Sequence, residues 1–371
     1  SGLTVFYDPQ KKGIKDVFQS IYDAGIKVKV ITGDNADTTN AIALQAGIKN
    51  DAPAINGSDI IGRSEEELMQ ISENTVLFTR MFPDAKLAVV NALKKKGEVV
   101  AMLGDGVNDG PALKAAHIGV AMGNKGTEIA KSAAALVITN DDLEKLIIGI
   151  AAGRRIYTNI KKAIQYIISI HIPIIFTVSL PLFLGWIFPH IFTPVHVIFL
   201  ELVMGPTCSI VYENEPMEKN TMKQPPRAMG DTFLSLNELG ISIIQGVVIT
   251  LGVLFAYQFA VQNGGDEEKT GAMVFSTLIF ANILLSFVNR SFFYSVLESF
   301  INRNPLLIGI SASVLMMLLV ILYVKPISLF FKVTALNISE LGMTVFIAAV
   351  SVLWFEIYKY VRRMGRAKAQ K

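Results

Sequence analysis

The distribution of apolar positions changes character near residue 152 of this 371-residue chain. Before that point, apolar runs of strand length alternate with charged stretches of helical period, the pattern of parallel strands linked by helices. Strands are predicted at Val28–Thr32, Val76–Thr79, Val99–Leu103, Ile118–Ala121 and Ala135–Ile138. Helices are predicted at Lys11–Ala24, Ala36–Ala46, Ser64–Ser72, Asp84–Lys96, Gly110–Ala116 and Thr127–Ser132, giving right-handed crossovers. Beyond Lys161-Lys162 six apolar runs follow: Ala163–Leu184, Val195–Tyr212, Leu239–Val261, Met273–Phe293, Leu306–Val324 and Leu341–Tyr360. Each approaches the ~20 residues that cross a ~30 Å hydrocarbon layer. A buried core explains one such run, not six in succession. The expected organisation is an α/β domain over residues 1–152, then an all-α bundle of six transmembrane helices over 153–371 that ends in a cytosolic tail.

Charge orients the runs. Arg154, Arg155, Lys161 and Lys162 precede the first, Lys219, Lys223 and Arg227 follow the second, and Arg290 and Arg303 follow the fourth. Lys359, Arg362, Arg363, Arg366, Lys368 and Lys371 close the chain. All lie on one side if every run crosses, and the positive-inside rule makes that side cytoplasmic, with the α/β domain and both termini on it. Asn263–Gly271, carrying Asp266, Glu267 and Glu268, faces outward; Lys325 and Lys332 are exceptions to the charge bias. Trp186, Trp354, Tyr358 and Tyr360 suit interfacial belts. The net charge of +3 therefore carries no nucleic-acid signal, because the basic residues flank apolar runs and meet lipid headgroups. Cys208 is the sole cysteine, so neither an internal disulfide nor a thiolate metal cluster can form.

The strongest chemical signal is Gly104-Asp105-Gly106-Val107-Asn108-Asp109-Gly110-Pro111 directly after the predicted strand Val99–Leu103. In open α/β sheets ligands bind outside the carboxyl ends of strands. There glycine lets the backbone approach a phosphate, and aspartate oxygens suit Mg2+. Thr32-Gly33-Asp34-Asn35 follows another strand, and Thr79-Arg80-Met81-Phe82-Pro83-Asp84-Ala85-Lys86 follows a third. Each also has a plainer reading: Gly33 as a turn with Asp34 or Asn35 capping the next helix, and Lys86 as one of the lysines that solvate the outer face of an amphipathic helix.

Taken in order, these segments resemble the P-type ATPases, cation pumps whose haloacid-dehalogenase-like domain forms an aspartyl-phosphate. Asp8-Pro9 and the hinge, which runs on through Ala112 and Leu113 to Lys114, carry that resemblance, and by position, including the later Pro225-Pro226-Arg227, it is similar to the calcium-pump branch. It implies a Rossmann-like α/β fold, ATP and Mg2+ as cofactors, a small transported cation, the lipid bilayer as surroundings and no nucleic acid. It also implies roles. Asp105 coordinates Mg2+, Asn108 and Asp109 organise the loop, Thr32 and Gly33 donate to phosphoryl oxygens, and Lys86 neutralises them. Asp34 lies on the nucleotide-facing edge, with Asp8 and Arg80 in support. The family's Asp-Lys-Thr-Gly-Thr nucleophile, nucleotide domain, Thr-Gly-Glu actuator and earlier spans do not occur in this sequence. The expectation is a C-terminal portion of a pump, the missing N-terminal part being its partner and the isolated chain inactive, in a bacterial inner or cell membrane. The alternatives are a non-catalytic membrane partner or pseudo-pump, and a membrane-anchored phosphatase of the haloacid dehalogenase type.

Polar residues inside apolar runs mark candidate cation ligands, since ionisable groups at membrane depth are costly and usually functional. Glu201 stands four residues before Gly205-Pro206, and Pro206 frees the carbonyl of Leu202. His171 has a similar setting, with Pro173 freeing the carbonyl of Ser169, and Asn282 is a third candidate. Ile174, Gly205 and Ile279 stand where the calcium-pump branch carries carboxylates. A seven-oxygen Ca2+ cage is hard to assemble from what remains, so a proton, a monovalent ion or a differently held Ca2+ all stay open. Glu213 and Glu215 read as an entry site or, more simply, a solvated loop.

Overall fold

The computed structural model describes residue 11 and residues 13–296 and 304–369. Asp8, Arg303 and Lys371 lie outside the described residues. The chain divides into two compact units, Ser1–Arg154 with Glu218–Asp231, and Arg155–Met217 with Thr232–Lys371.

Among the described residues of the first unit six short strands form two parallel three-stranded sheets. Strands β1 (Val30–Ile31), β2 (Ile55–Asn56) and β3 (Leu77–Thr79) make one in the order β1-β3-β2; β4 (Ala101–Gly104), β5 (Ile118–Met122) and β6 (Leu136–Ile138) make the other in sequence order. The sequence predicted neither β2 nor the division into two sheets. β2 has only two residues, set in a Pro- and Gly-containing stretch that lacks an apolar run. Helices α1 (Ile14–Asp23), α2 (Ala36–Ala46), α3 (Glu65–Asn74), α4 (Pro83–Lys95), α5 (Gly110–Ala115) and α6 (Glu128–Ala133) connect them.

Local chemistry sets these boundaries. Asn35 caps α2 by accepting from Thr38 N–H, and Gly47 ends that helix at φ 76°. Ser64 and Glu67 form a capping box on α3. Pro83 opens α4 at a position where its missing N–H costs nothing. Ala85, Val89 and Leu93 of α4 pack on Ile60, Phe78 and Met81, while Val90 joins Met102, Ala112, Leu113, Ala121 and Ala130. One amphipathic helix thus serves two cores.

Among the described residues six helices are long and apolar enough to cross a membrane. They are α7 (Glu144–Phe183), α8 (Pro194–Pro206, continued as a wider π-helical turn to Tyr212), α9 (Leu236–Gln262), α10 (Glu267–Val288), α11 (Pro305–Tyr323) and, after the short α12 (Lys325–Phe331), α13 (Ile338–Ala369). Several of these bounds differ from the sequence reading. The first apolar run lies within one 40-residue helix that begins at Glu144, because the charged turns before Ala163 are themselves helical. The fourth helix ends at Val288 rather than Phe293, with Asn289 as its C-cap, and it takes in Glu267 and Glu268 as its first turn under the Asp266 cap. Helix α12 fills a segment read as loop.

Helix α10 is the most enclosed of the six and packs against α9, α11 and α13. Small residues permit the close approaches. A Cβ on Gly246 would lie 2.7 Å from Ile172 Cβ and 2.9 Å from Ser169 O, and one on Gly252 would collide with Ser351 Oγ.

Candidate functional site

Three strand ends in the first unit deliver the sequence-predicted groups. Past β1, Thr32 Oγ1 donates to Asp34 Oδ2 at 3.0 Å and accepts from Asp34 N–H at 3.2 Å. Past β3, Arg80 takes the left-handed conformation at φ 48°, and the turn is tied to the first loop by Arg80 N to Asp34 O (2.8 Å) and Met81 N to Thr32 O (2.9 Å). Thr32, Gly33, Asp34 and Arg80 therefore form one backbone-stitched corner. Asn35 caps α2, so the capping reading holds for that residue and leaves the Asp34 carboxylate on Thr32.

Past β4 the acidic hinge begins. Lys86, on α4, is buried rather than on the solvated face, and its Nζ lies 2.6 Å from Asp109 Oδ1. The other oxygen, Oδ2, accepts from Gly106 N–H at 3.1 Å. Gly104 makes this possible: a Cβ there would meet Asp109 Cβ at 2.6 Å and Cγ at 2.8 Å. Asp105 and Asn108 are exposed, and among the described residues the Asp105 carboxylate accepts no hydrogen bond; only its main-chain oxygen is engaged, by Thr127 N–H at 2.8 Å. The Asp105 carboxylate, solvent-facing and without internal partners, is a hard-oxygen donor of the kind that fits Mg2+, whereas both oxygens of Asp109 are already engaged.

Two supporting features escaped the sequence reading. Asp141 is buried at φ 57° and accepts from Asn124 N–H (3.0 Å) and Lys125 N–H (2.9 Å), fixing the loop whose Thr127 holds Asp105. Burial pushes its carboxyl up, but the amides of Asn124, Lys125 and Gly123, with Lys11 nearby, outweigh this and hold it below the usual carboxylate range. Thr79, fully buried, donates to Asn56 Oδ1 at 2.9 Å and joins the ends of β2 and β3. A left-handed aspartate after a strand is invisible to periodicity. The Gly104 requirement was carried by the motif, though its spacing alone does not say which side chain the glycine admits.

In the second unit, His171 Nε2 lies 3.3 Å from Glu201 Oε1, with side chains 38% and 54% exposed. Glu201 was expected to be buried by its place in an apolar run. It is instead exposed, while His171 is half-buried. Asn282 is buried and apart from this pair: its Oδ1 accepts from Tyr166 OH, and its Nδ2 has no partner among the described residues. Ile174 and Ile279 are packed in the apolar core.

Glu215 is not in a solvated loop. It is buried, its Oε1 2.9 Å from Arg290 Nε and its Oε2 accepting from Asn304 Nδ2 at 2.8 Å, while Asn159 Nδ2 donates to its carbonyl at 2.8 Å. Arg290 and Lys359, read from sequence as flanking charges, are both buried; Lys359 donates to Val288 O (2.6 Å) and Glu356 Oε1 (2.7 Å).

Residues 2–117 match the family described as haloacid dehalogenase-like hydrolase, and residues 189–361 the family described as cation transporting ATPase, C-terminus. The chain belongs to the P-type cation-transporting ATPases. Along its whole length it is 30% identical to human calcium-transporting ATPase type 2C member 1, covering 40% of that protein. It is 32% identical to calcium-transporting ATPase 1 of Bacillus cereus over 98% of this chain and 42% of the relative. Against a calcium-transporting ATPase of Listeria monocytogenes it is 33% identical, over 97% and 41%. The chain thus spans about two fifths of the length of these relatives, and a P-type ATPase of this kind is a multi-pass membrane protein.

Proposed function

We propose that this chain carries the phosphate-handling half of the phosphorylation domain, over residues 1–152, and six transport helices, over residues 153–371, of an ATP-driven cation pump. The observation that carries the reading is the buried Lys86–Asp109 pair at 2.6 Å beside the open carboxylate of Asp105. Phosphoryl transfer needs positioning and charge stabilisation more than covalent chemistry from its surroundings. Thr32 Oγ1 and Gly33 N–H donate to phosphoryl oxygens. Lys86, pinned by Asp109, presents its remaining ammonium protons to the same group without having to be ordered at the moment of reaction. Asp109 sets the hinge through Gly106 N–H, and Asn108 lines its open side. Asp34 and Arg80 form the corner nearest the nucleotide. Asp105 would hold Mg2+, which when bound would neutralise developing charge on the phosphoryl oxygens.

On this reading the α/β unit, the 218–231 loop and the C-terminus are cytoplasmic and Asp266–Lys269 faces outward. His171 and Glu201 handle the transported cation, with Asn282 a supporting group, and the relatives' printed calcium transport makes a divalent cation the first expectation for cargo. The test is acid-stable phosphorylation of the intact protein by labelled ATP. Cation-dependent incorporation in wild type, lost in Asp105→Ala and Lys86→Ala, supports the proposal; equal incorporation in all three overturns it.

A further inference from the structure

The hydrogen-bond roles around His171 decide what can sit between it and Glu201. His171 Nδ1 lies 2.8 Å from the carbonyl oxygen of Ile167. A carbonyl only accepts, so Nδ1 carries the ring proton. In the neutral ring Nε2 is then a bare lone pair, and it faces a carboxylate oxygen 3.3 Å away. Two acceptors at that separation repel unless a cation lies between them.

The donor set on the two side chains is one imidazole nitrogen and one carboxylate. Pro173 and Pro206 remove the usual i+4 donors of Ser169 O and Leu202 O, which belong to the residue two before His171 and the residue after Glu201. Among the described residues no third acidic, imidazole or thiol side chain completes a cluster with the pair. Ile174, one turn beyond His171, is buried in the apolar core and adds no ligand. Ca2+ takes about 6–8 ligands, all oxygen, and satisfies itself poorly with one carboxylate and an imidazole. First-row dications accept imidazole and need about four ligands, and a half-open pair leaves room for water or a further group in the shell.

We propose that His171 and Glu201 form a binding site for a first-row transition-metal dication, with His171 Nε2 as a direct ligand, in preference to Ca2+. The inference rests on the reading above that this pair handles the pump's cation. It departs from that reading's first expectation for the cargo. The imidazole sets the selectivity, and the carboxylate supplies charge to either class of ion.

The test uses the intact pump, purified in detergent and stripped of metal, with Co2+ as a spectroscopic probe and Zn2+ and Ca2+ as competitors. Wild type should show ligand-field absorption with Co2+ that equimolar Zn2+ removes and a hundredfold excess of Ca2+ does not. His171→Gln should weaken Co2+ binding at least tenfold and leave Ca2+ binding within about twofold, whereas Glu201→Gln should weaken both. Phosphorylation of each variant from inorganic phosphate, which uses the cytosolic site, reports that it is folded. Unchanged Co2+ affinity and spectrum in His171→Gln, or displacement of Co2+ by equimolar Ca2+, overturns the proposal. A doubly protonated His171 ring with no Co2+ absorption in wild type does the same, the shared cation then being a proton. Ca2+-stimulated phosphorylation that ignores His171 would leave the pump reading standing and remove this site. Co2+ bound through His171 with no cation-stimulated phosphorylation would do the reverse.

Discussion

Lys86 Nζ lies 2.6 Å from Asp109 Oδ1, and both side chains are withdrawn from solvent. The contact spans 23 residues and joins the helix after β3 to the loop after β4. A buried pair of this kind is weak support for stability, because desolvation offsets much of its Coulombic gain. Its value is geometric: it holds an ammonium at a fixed place beside an open carboxylate.

Removing one partner and removing both should therefore differ. Lys86→Ala leaves Asp109 uncompensated, with an expected loss of about 3–5 kcal/mol. Lys86→Met combined with Asp109→Leu should restore most of that stability while phosphorylation stays at least about a hundredfold down, the scale of losing an oxyanion-type donor. Thermal denaturation and labelled-phosphate incorporation, measured on the same samples, separate the two effects. Recovery of activity in the double variant would contradict the assigned role of Lys86.

Gly104→Ala should act through Asp109. The added Cβ falls 2.6 Å from Asp109 Cβ, so either the β4 end or the aspartate must move. The expected overpacking cost is about 1–3 kcal/mol. Phosphorylation should fall to near the level of Asp109→Asn, and combining Gly104→Ala with Asp109→Asn should add little. Additive losses would mean the glycine serves another purpose.

Much of this was legible from the amino-acid pattern, for identifiable reasons. The long apolar helices and the strands after which Thr32, Arg80 and Asp105 stand announce themselves through period and turn residues, and the hinge through glycines beside acids. The burial of Lys86 was not legible, because α4 faces two cores and its periodicity does not single out one wet side. Nor was that of Glu215 and Arg290, which sit 75 residues apart in polar segments that only tertiary packing closes. Glu201 failed in the opposite direction. Hydropathy reports membrane depth, whereas its exposure depends on which helices flank it.

The Glu215–Arg290 pair, at 2.9 Å with Asn304 on the other carboxylate oxygen, invites a second cycle. Glu215→Gln or Arg290→Met alone should destabilise the protein by about 3–5 kcal/mol, and the two together by clearly less than the sum. Half-lives of thermal inactivation in detergent measure it. Strict additivity would show that the contact carries no coupling.

Asp141 predicts a pH dependence. Its carboxyl titrates below the ordinary value, so its contribution is fully present above the unfolded value of about 3.9 and is lost as pH falls through the lower folded one. The gap in unfolding midpoint between wild type and Asp141→Asn should be constant from pH 7 to about pH 5 and shrink below about pH 4. A gap independent of pH would mean that charge is not what the Asn124 and Lys125 amides recognise.

The central claim is that this chain's hinge carboxylate serves ATP-driven cation movement. Its most direct test is cation-stimulated ATP hydrolysis by the intact protein in sealed vesicles, wild type against Asp105→Asn. Wild type should show stimulated phosphate release and the variant a loss of at least about a hundredfold, with the protein still folded and inserted. Undiminished cation-stimulated hydrolysis in Asp105→Asn would contradict it.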